Sequence, residues 1–301
     1  MERMWGGRRL ESEFGKKLPT QKRIGESWEI VDRPEAQSVV MNGPLKGKTL
    51  HEIWTQYRQS IFDDVPDFPR FPLLIKILDA REKPSLQVHP SEKVASKLAG
   101  EPKTEFWYVA AADPGAELYL GFRDSMTRNR FEKALCDGTA ADHVHKIHVK
   151  PGDAVFVPAG RFHTVGGGNL LIEIQQNSDT TYRVFDWNRV DPLTGKPRTV
   201  HLEQALESID FNDVRPKMVE PRGEVLVKED LFEVQKWKLD ASREIAPIGQ
   251  FAIVCCLTGA LQCADVDLAP GEFFLISALL QKRRLEPLRE ATSLLRITIP
   301  T

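Results

Sequence analysis

The stretch His148-Val-Lys-Pro-Gly-Asp-Ala-Val-Phe-Val-Pro-Ala-Gly160 carries the pattern that decides the fold of this chain. A Pro-Gly-Asp turn separates one short run of residues from a strongly apolar strand, Ala154–Val157, which a proline and a glycine then terminate. A weaker copy, Asp267-Leu-Ala-Pro-Gly-Glu-Phe-Phe-Leu-Ile-Ser-Ala278, repeats the strand, the turn and the second strand. The repetition predicts that one β-barrel unit occurs twice.

Short extended segments bounded by turn residues continue on both sides of this stretch. Strands are predicted at 71–79, 86–89, 105–110, 146–149, 154–158, 170–175 and 182–187, and again at 224–227, 232–239, 251–257, 272–276 and 293–299. Helices are predicted at 51–60, 91–98, 125–136 and 202–209. Many short strands and few helices are typical of β-sandwiches and barrels, so we expect a mainly β protein.

The boundary between the two series of strands falls near residues 216–223, which predicts domains at 1–220 and 221–301. In the second copy Ser277 stands where the first has Pro158, and no histidine follows. We therefore expect a degenerate second barrel without a metal, and a solvated loop for the charged run 281–284. The residues expected on its inner face are Phe251, Val254, Phe274 and Leu275.

The composition excludes several classes of protein. The chain has 301 residues and a formal net charge of −2, so nucleic acid is not an expected partner. No apolar run reaches the roughly 18 residues of a membrane span, and the N-terminus lacks the apolar core of a secretory signal. The four cysteines form no CxxC pair, which predicts reduced thiols and a cytoplasmic location.

Four separated residues form a candidate metal site. Gln87 and His89 are two apart and share a face if this segment is extended. Glu105 is expected on the next antiparallel strand, and His163 follows the Pro-Gly turn at the end of Ala154–Val157. Two imidazoles, one carboxylate and one amide oxygen suit a divalent metal such as zinc. Such an incomplete protein shell leaves positions for water or substrate.

A second group of histidines is denser but less suited to a metal. His143, His145 and His148 precede the Pro-Gly turn and have no carboxylate at matching spacing. We expect them to be solvated and not to bind metal.

Several ordered motifs together carry a family resemblance. Gly152, Pro158, Gly160 and His163 are spaced as in the second cupin motif. The segments 85–90, 103–108 and 179–189 resemble type I mannose-6-phosphate isomerases in their short bacterial form, and the match runs from about residue 25 to 211. The resemblance implies two cupin (jelly-roll β-barrel) domains. It also implies one zinc ion per chain, and the ligands would be Gln87, His89, Glu105 and His163.

The resemblance also implies roles for residues around the metal. The catalytic arginine of the family falls on Arg183, and Glu173, ten residues earlier, is the candidate proton carrier. Ser85 and Lys103 are implied in substrate binding. Glu173 lies between apolar neighbours, so we expect desolvation to raise its pKa toward neutrality.

The activity implied is interconversion of mannose 6-phosphate and fructose 6-phosphate through a cis-enediol, with a small sugar phosphate as partner and a monomer or weak homodimer as the assembly. Two alternatives stay open, a cupin iron oxygenase and a sugar-binding or regulatory cupin without catalysis. Gln87, Arg183 and Glu173 argue against the oxygenase. The complete ligand set and Arg183 argue against a cupin without catalysis. A structural alternative for Arg183 is an ion pair with Asp179 or Asp186.

Overall fold

The computed structural model describes residues 1–190 and 195–300, which form a mainly β structure with short helices. The strands are β1 (Glu2–Gly7), β2 (Glu26–Ile30), β3 (Asp32–Arg33), β4 (Ala36–Gln37), β5 (Leu73–Ala80), β6 (Leu86–Val88), β7 (Glu105–Ala112), β8 (Glu117–Phe122), β9 (Val144–His148), β10 (Ala154–Val157), β11 (His163–Val165), β12 (Asn169–Gln176), β13 (Tyr182–Phe185), β14 (Val225–Lys228), β15 (Glu233–Leu239), β16 (Arg243–Glu244), β17 (Ala252–Thr258), β18 (Leu261–Cys263), β19 (Val266–Leu268), β20 (Phe273–Ile276), β21 (Arg284–Pro287) and β22 (Thr292–Thr298). The helices are α1 (Arg9–Ser12), α2 (Leu50–Gln56), α3 (Arg58–Phe62), α4 (Glu92–Ala95), α5 (Arg128–Cys136) and α6 (Leu202–Ser208), with a 3₁₀ turn at Ala140–His143.

Two of the helices, α2 and α5, begin where side chains satisfy their free N–H groups. Thr49 and Glu52 form a capping box at α2. Thr127 accepts a hydrogen bond from the Arg130 N–H, so α5 begins after Thr127 and not at Ser125. Within residues 1–190 and 195–300, no helix has the length and hydropathy needed to span a membrane.

The chain divides into two compact units. The first comprises residues 1–8, 18–27 and 76–218, and the second comprises 9–17, 28–75 and 219–301. The change at 218/219 lies near the predicted boundary, but the second unit also includes two earlier segments that were predicted to belong to the first domain. One reason is aromatic packing, because Phe62 lies edge-on to Phe251 at 5.4 Å and Phe71 contacts both rings.

Two antiparallel sheets form the first unit. Their strand orders are β1-β5-β12-β7-β10, with β2 on β5, and β13-β6-β11-β8-β9. Core side chains come from both sheets, among them Trp107 and Leu171 from one and Leu118 and Leu120 from the other. The core therefore lies between the sheets, as it does in a sandwich or a jelly-roll barrel.

This layering corrects the predicted position of Glu105. Its strand β7 pairs with β12 and β10, whereas Gln87 lies on β6 in the opposite sheet. The prediction of a neighbouring antiparallel strand was wrong because residues 89–104 carry the chain from one sheet to the other. Glu105 thus approaches Gln87 across the core and not along a sheet.

The second unit repeats the strand order of the first. Its sheets are β14-β15-β22-β17-β20 and β16-β21-β18-β19. The order β15-β22-β17-β20 matches β5-β12-β7-β10, and β16-β21-β18-β19 matches β6-β11-β8-β9. The repeat found in the sequence joins β9 to β10 in one unit and β19 to β20 in the other. Its glycines, Gly152 and Gly271, both have positive φ, 94° and 78°.

Two expectations for the second unit need correction, and the first is the inward orientation of Leu275. Val254 and Phe274 pair across β17 and β20 and pack in the core, whereas Leu275 pairs with Ile253 on the other face. Adjacent strand residues point to opposite faces, so Phe274 and Leu275 cannot both point inward.

The charged run 281–284 is not a wholly solvated loop. Arg283 is 2% exposed, and it donates hydrogen bonds to backbone carbonyls in segments 246–250 and 277–280. These carbonyls satisfy the donors of the guanidinium, which explains how an arginine can be buried there.

Candidate metal centre

Three buried side chains converge at one end of the core of the first unit. The ligand atoms of His89, Glu105 and His163 all lie within 4.8 Å of one another. His89 Nε2 is 3.1 Å from Glu105 Oε1, and His163 Nε2 is 3.8 Å from Glu105 Oε2. β11 and β7 position His163 and Glu105, while His89 directly follows β6.

Both imidazoles present the same nitrogen to the shared space. His89 Nδ1 lies 2.8 Å from the Thr180 carbonyl, and His163 Nδ1 lies 2.8 Å from the Arg161 carbonyl. A carbonyl only accepts, so each Nδ1 carries the proton and each Nε2 keeps its lone pair free. Burial, followed by the charge of Lys103, lowers the pKa of His89 to about 3, and burial also lowers the pKa of His163. Both rings are therefore neutral, as metal ligation requires.

Gln87 completes the set from strand β6. It pairs with His163 in register, and its Nε2 lies 3.4 Å from His163 Nε2. Ser85 Oγ lies 3.5 Å from Gln87 Oε1 on the other side. A half-turn of the amide would bring Oε1 to the histidines and keep a hydrogen bond to Ser85, because a hydroxyl both donates and accepts.

The polar atoms of this group fit a divalent cation. His89 Nε2 and both oxygens of Glu105 are buried without an aligned hydrogen bond among the described residues. Lys103 Nζ lies 2.9 Å from Glu105 Oε1 but is not directed at it as a hydrogen bond. Burial by itself would raise the pKa of Glu105, yet Lys103 and the imidazoles hold it well below its usual range. An ionised, buried carboxylate with unsatisfied oxygens is costly unless a cation joins it.

The remaining predicted site residues line a cavity of about 330 Å³, which adjoins this group through Gln87 and Lys103. Ser85, Lys103, Glu173 and Arg183 all line it, as does Gln87. The structure therefore brings together every site residue that the sequence singled out.

Glu173 lies on β12 and is only 4% exposed. Trp107 Nε1 donates a hydrogen bond of 2.9 Å to its Oε1, and Lys76 Nζ lies 3.6 Å from its Oε2. Burial raises the pKa of Glu173 to about 7, the charge of Glu105 adds to the rise, and Lys76 and Lys103 oppose it. The expected shift toward neutrality is confirmed, so this carboxyl can exchange a proton near pH 7.

Arg183 reaches the cavity from β13. Its Nε donates to Ser85 Oγ at 3.3 Å, and its Nη1 donates to the Thr199 carbonyl at 2.6 Å. Since Ser85 also contacts Gln87, one hydroxyl links the arginine to the candidate metal ligands.

The structural alternative for Arg183 finds no support in the described residues. Asp186 forms ion pairs with Arg189 and Arg198, and Asp179 lies 4.0 Å from Lys76. Neither aspartate forms an ion pair with Arg183 in residues 1–190 and 195–300. Its guanidinium donates to a hydroxyl and a carbonyl and forms no ion pair among the described residues.

Sequence reasoning missed several cavity residues. Lys76 could have been recognised, because a lysine interrupts the run 71–79, whose other charged residue, Asp79, lies at its end. That run was interpreted as continuous, yet Lys76 points into the cavity. Arg3 and Glu26, which form an ion pair of 2.7 Å, gave no signal because only the fold brings them to the site.

The denser histidine group is placed elsewhere. His143 lies in the 3₁₀ turn, and His145 and His148 lie on β9. His148 is exposed and 3.9 Å from Glu117. Within the described residues, these histidines belong to no group of three or more side chains able to hold a metal.

Fold and site together define a class of mainly β protein with a repeated two-sheet unit and a buried His–Glu–His group beside a charged cavity. The family profile "Phosphomannose isomerase type I, catalytic domain" matches residues 1–132. A probable mannose-6-phosphate isomerase of Bacillus subtilis is 38% identical over 268 residues, covering 86% of this chain and 84% of that protein. A mannose-6-phosphate isomerase of Streptococcus mutans is 37% identical over 265 residues, covering 86% and 82%.

The solved structures agree with these relatives. The crystal structure of the mannose 6-phosphate isomerase from Bacillus subtilis matches with a TM-score of 0.86 at 32% identity, covering 99% of this chain and 97% of that one. The chain belongs to the type I phosphomannose isomerase family, a family of sugar-phosphate isomerases.

Proposed function

We propose that this protein interconverts mannose 6-phosphate and fructose 6-phosphate, with one zinc ion per chain held by Gln87, His89, Glu105 and His163. The observation that carries the proposal is that three kinds of functional group lie close together around one cavity. A buried group of metal-ligating atoms with free lone pairs adjoins a carboxyl with a pKa of about 7 and an arginine without an ion-pair partner among the described residues.

The chemistry of aldose–ketose interconversion explains why these residue types are needed. A proton moves between C1 and C2 through a cis-enediol, and negative charge develops on a sugar oxygen as the C–H bond breaks. Zinc, when bound, would supply a Lewis acid that stabilises this charge. Glu105 is the single carboxylate among the four ligands, so the ligand set offsets only part of a divalent charge.

Glu173 is the proposed proton carrier. A carboxyl with a pKa of about 7 takes a proton from carbon and returns it at neutral pH without a large penalty in either direction. The Trp107 N–H and the Lys76 ammonium fix its orientation from opposite oxygens. Both contacts stabilise the ionised form, which is the form that acts as the base.

Arg183 is proposed to stabilise the negative charge of the enediolate. Its charge is permanent, and its planar fork suits two adjacent oxygens. Ser85 orients the fork and is positioned to contact the substrate. Lys103 is proposed to bind substrate as well, while its ammonium also keeps Glu105 ionised.

The two alternatives predict different measurements. An iron oxygenase would consume oxygen and contain iron, and a sugar-binding cupin would bind a sugar without turnover.

The proposal also includes a small sugar phosphate as the partner, a cytoplasmic location and a monomer or weak homodimer as the assembly. All four cysteines are free thiols, which suits a reducing compartment.

The test is a coupled assay of fructose 6-phosphate formation from mannose 6-phosphate, with elemental analysis of the same sample. We expect turnover, one zinc per chain, loss of activity after dialysis against a chelator, and recovery on adding zinc. Turnover that persists with no bound metal would refute the metal assignment. Zinc binding without turnover would favour the sugar-binding alternative.

A further inference from the structure

A cavity in the second unit is lined by Arg296 of β22. β22 is the counterpart of β12 in the strand order. Arg296 follows the core residue Leu294 by two positions on β22, as Glu173 follows Leu171 on β12. Both therefore point inward at the same level of their unit, and an arginine takes the place of the carboxyl.

Arg296 is buried but not saturated with partners. It is 9% exposed, and its Nε donates to the Ile245 carbonyl at 2.7 Å. Its other donors have no hydrogen bond or ion pair in residues 1–190 and 195–300. They line a cavity of about 590 Å³. A buried guanidinium with free donors costs free energy unless something in the cavity accepts from them.

A carboxylate faces the same cavity without reaching the arginine. Gln235 lies opposite Arg296 in the register of β15 and β22, and Glu233 lies opposite Thr298. Glu233 instead accepts from Gln235 and forms an ion pair of 3.2 Å with Lys228. The cavity thus holds guanidinium donors at Arg296 and a separate group of carboxylates, and the two form no ion pair among the described residues.

The separation selects the chemistry of an occupant. An anion would be attracted by Arg296 and Lys228 and repelled by Glu233, Asp63 and Asp64, and a cation would meet the reverse. A hydroxyl group accepts a hydrogen bond from the arginine and donates one to a carboxylate. A neutral polyol can therefore form hydrogen bonds with both. We propose that this cavity binds a neutral sugar.

Apolar side chains and size support this choice. Phe62, Phe251 and Ile248 line the same cavity and offer a surface for the C–H groups of a sugar ring. The volume lies within the range of about 300–1,000 Å³ that is usual for small-molecule sites, and it suits a mono- or disaccharide. The sugar site does not depend on the isomerase proposal.

The experiment measures binding of D-mannose and of maltose to the full chain by titration calorimetry and saturation-transfer NMR. Arg296→Met removes the donors and keeps the length of the side chain. Lys238→Met, on the outer face of β15, removes an exposed cation as the matched control. We expect saturable binding of at least one sugar, weakened tenfold or more by Arg296→Met and unchanged by Lys238→Met.

Three further measurements distinguish sugar binding in this cavity from the other possible outcomes. Arg183→Ala separates this cavity from the active one and should leave the binding unchanged. Glu233→Gln keeps the shape of the side chain and should also weaken binding, which serves as the test if Arg296→Met does not fold. Inorganic phosphate is the third probe, and Arg296-dependent phosphate binding in place of sugar binding would overturn the choice of ligand. So would the absence of saturable sugar binding, or sugar binding that only Arg183→Ala removes.

Discussion

The two units of this chain share a strand order but differ at the positions that carry chemistry. His163 pairs with Gln87 on one side and with Leu120 on the other, in the way that Leu285 pairs with both Arg243 and Cys263. A leucine thus stands in the second unit where the first has a candidate metal ligand. The second unit has the same strand pairing but no imidazole at this position. The architecture therefore does not require the candidate metal ligand.

The same correspondence holds for the carboxylate. Glu105 lies two residues before Trp107 on β7, and Trp107 is opposite Glu173. On the matching strand Ala252 takes the place of Glu105. Replacing a buried charge by a methyl group removes the desolvation cost along with the binding capacity. The comparison indicates that the first unit carries the desolvation cost of a buried carboxylate, whereas the matching position of the second unit does not.

The largest difference is expected between alanine substitutions at the matched positions His163 and Leu285. His163→Ala should lose zinc and essentially all isomerase activity, because a ligand and the Lewis acid it helps to hold are both removed. Leu285→Ala should keep one zinc and normal turnover but lose about 2–5 kcal/mol of stability through a cavity. Elemental analysis, the coupled assay and denaturant unfolding measure the three quantities.

The histidines of β9 and the preceding 3₁₀ turn provide a control for this result. A variant with His143→Ala, His145→Ala and His148→Ala should retain its zinc. Loss of metal in this variant, or full occupancy in His163→Ala, would contradict the assignment.

The next effect concerns the matched inward residues Glu173 and Arg296. Glu173→Gln should lower kcat by about 10²–10⁴-fold, because an amide cannot carry the proton. Arg296→Met should leave kcat within about twofold, since nothing in the second unit is proposed to take part in catalysis. Steady-state kinetics on both variants decide whether the chemistry is confined to one unit.

Arg183 should show a somewhat smaller effect that separates catalysis from binding. If it stabilises developing charge, Arg183→Ala should lower kcat by about 10²–10³-fold with zinc unchanged, and Arg183→Lys should recover little. A steep rise in KM with kcat near that of wild type would instead make it a phosphate-binding residue.

The pH dependence of protein stability tests the raised pKa of Glu173 independently of catalysis. The pKa of Glu173 is raised from 4.5 to about 7, so its folded form favours the proton. That contribution is fully present below about pH 4.5 and is lost as pH rises through 7. In chelator-treated protein, wild type should lose about 3 kcal/mol relative to Glu173→Gln between pH 4.5 and 8. Parallel pH dependences of unfolding in the two proteins would contradict the shift.

The smallest effect is expected at the counterpart of Gln87. Arg243 stacks on Trp237 at 3.5 Å and pairs with Glu224 at the surface. Arg243→Gln should cost about 1 kcal/mol or less, because exposed ion pairs and cation–π contacts contribute little in water. Thermal unfolding checks this, and a loss of several kcal/mol would mean that the position has a larger structural role.

The amino-acid sequence determined the features that depend on local spacing. The Pro-Gly-acid turn and its copy predicted two β units, and both turns connect matching strands. The spacing of Gln87 and His89 placed both side chains at one site, and the apolar neighbours of Glu173 predicted its raised pKa. Turn geometry and strand alternation act over a few residues, so they can be recognised without the fold.

Only the tertiary structure decided which distant segments meet. It placed β7 in the sheet opposite β6, so Glu105 reaches Gln87 across the core and not from a neighbouring strand. It also turned Lys76 into the active cavity and buried Arg283 among carbonyls. These outcomes depend on sheet pairing and on the need to satisfy buried polar groups, which are properties of the whole packed chain and not of any short stretch of it.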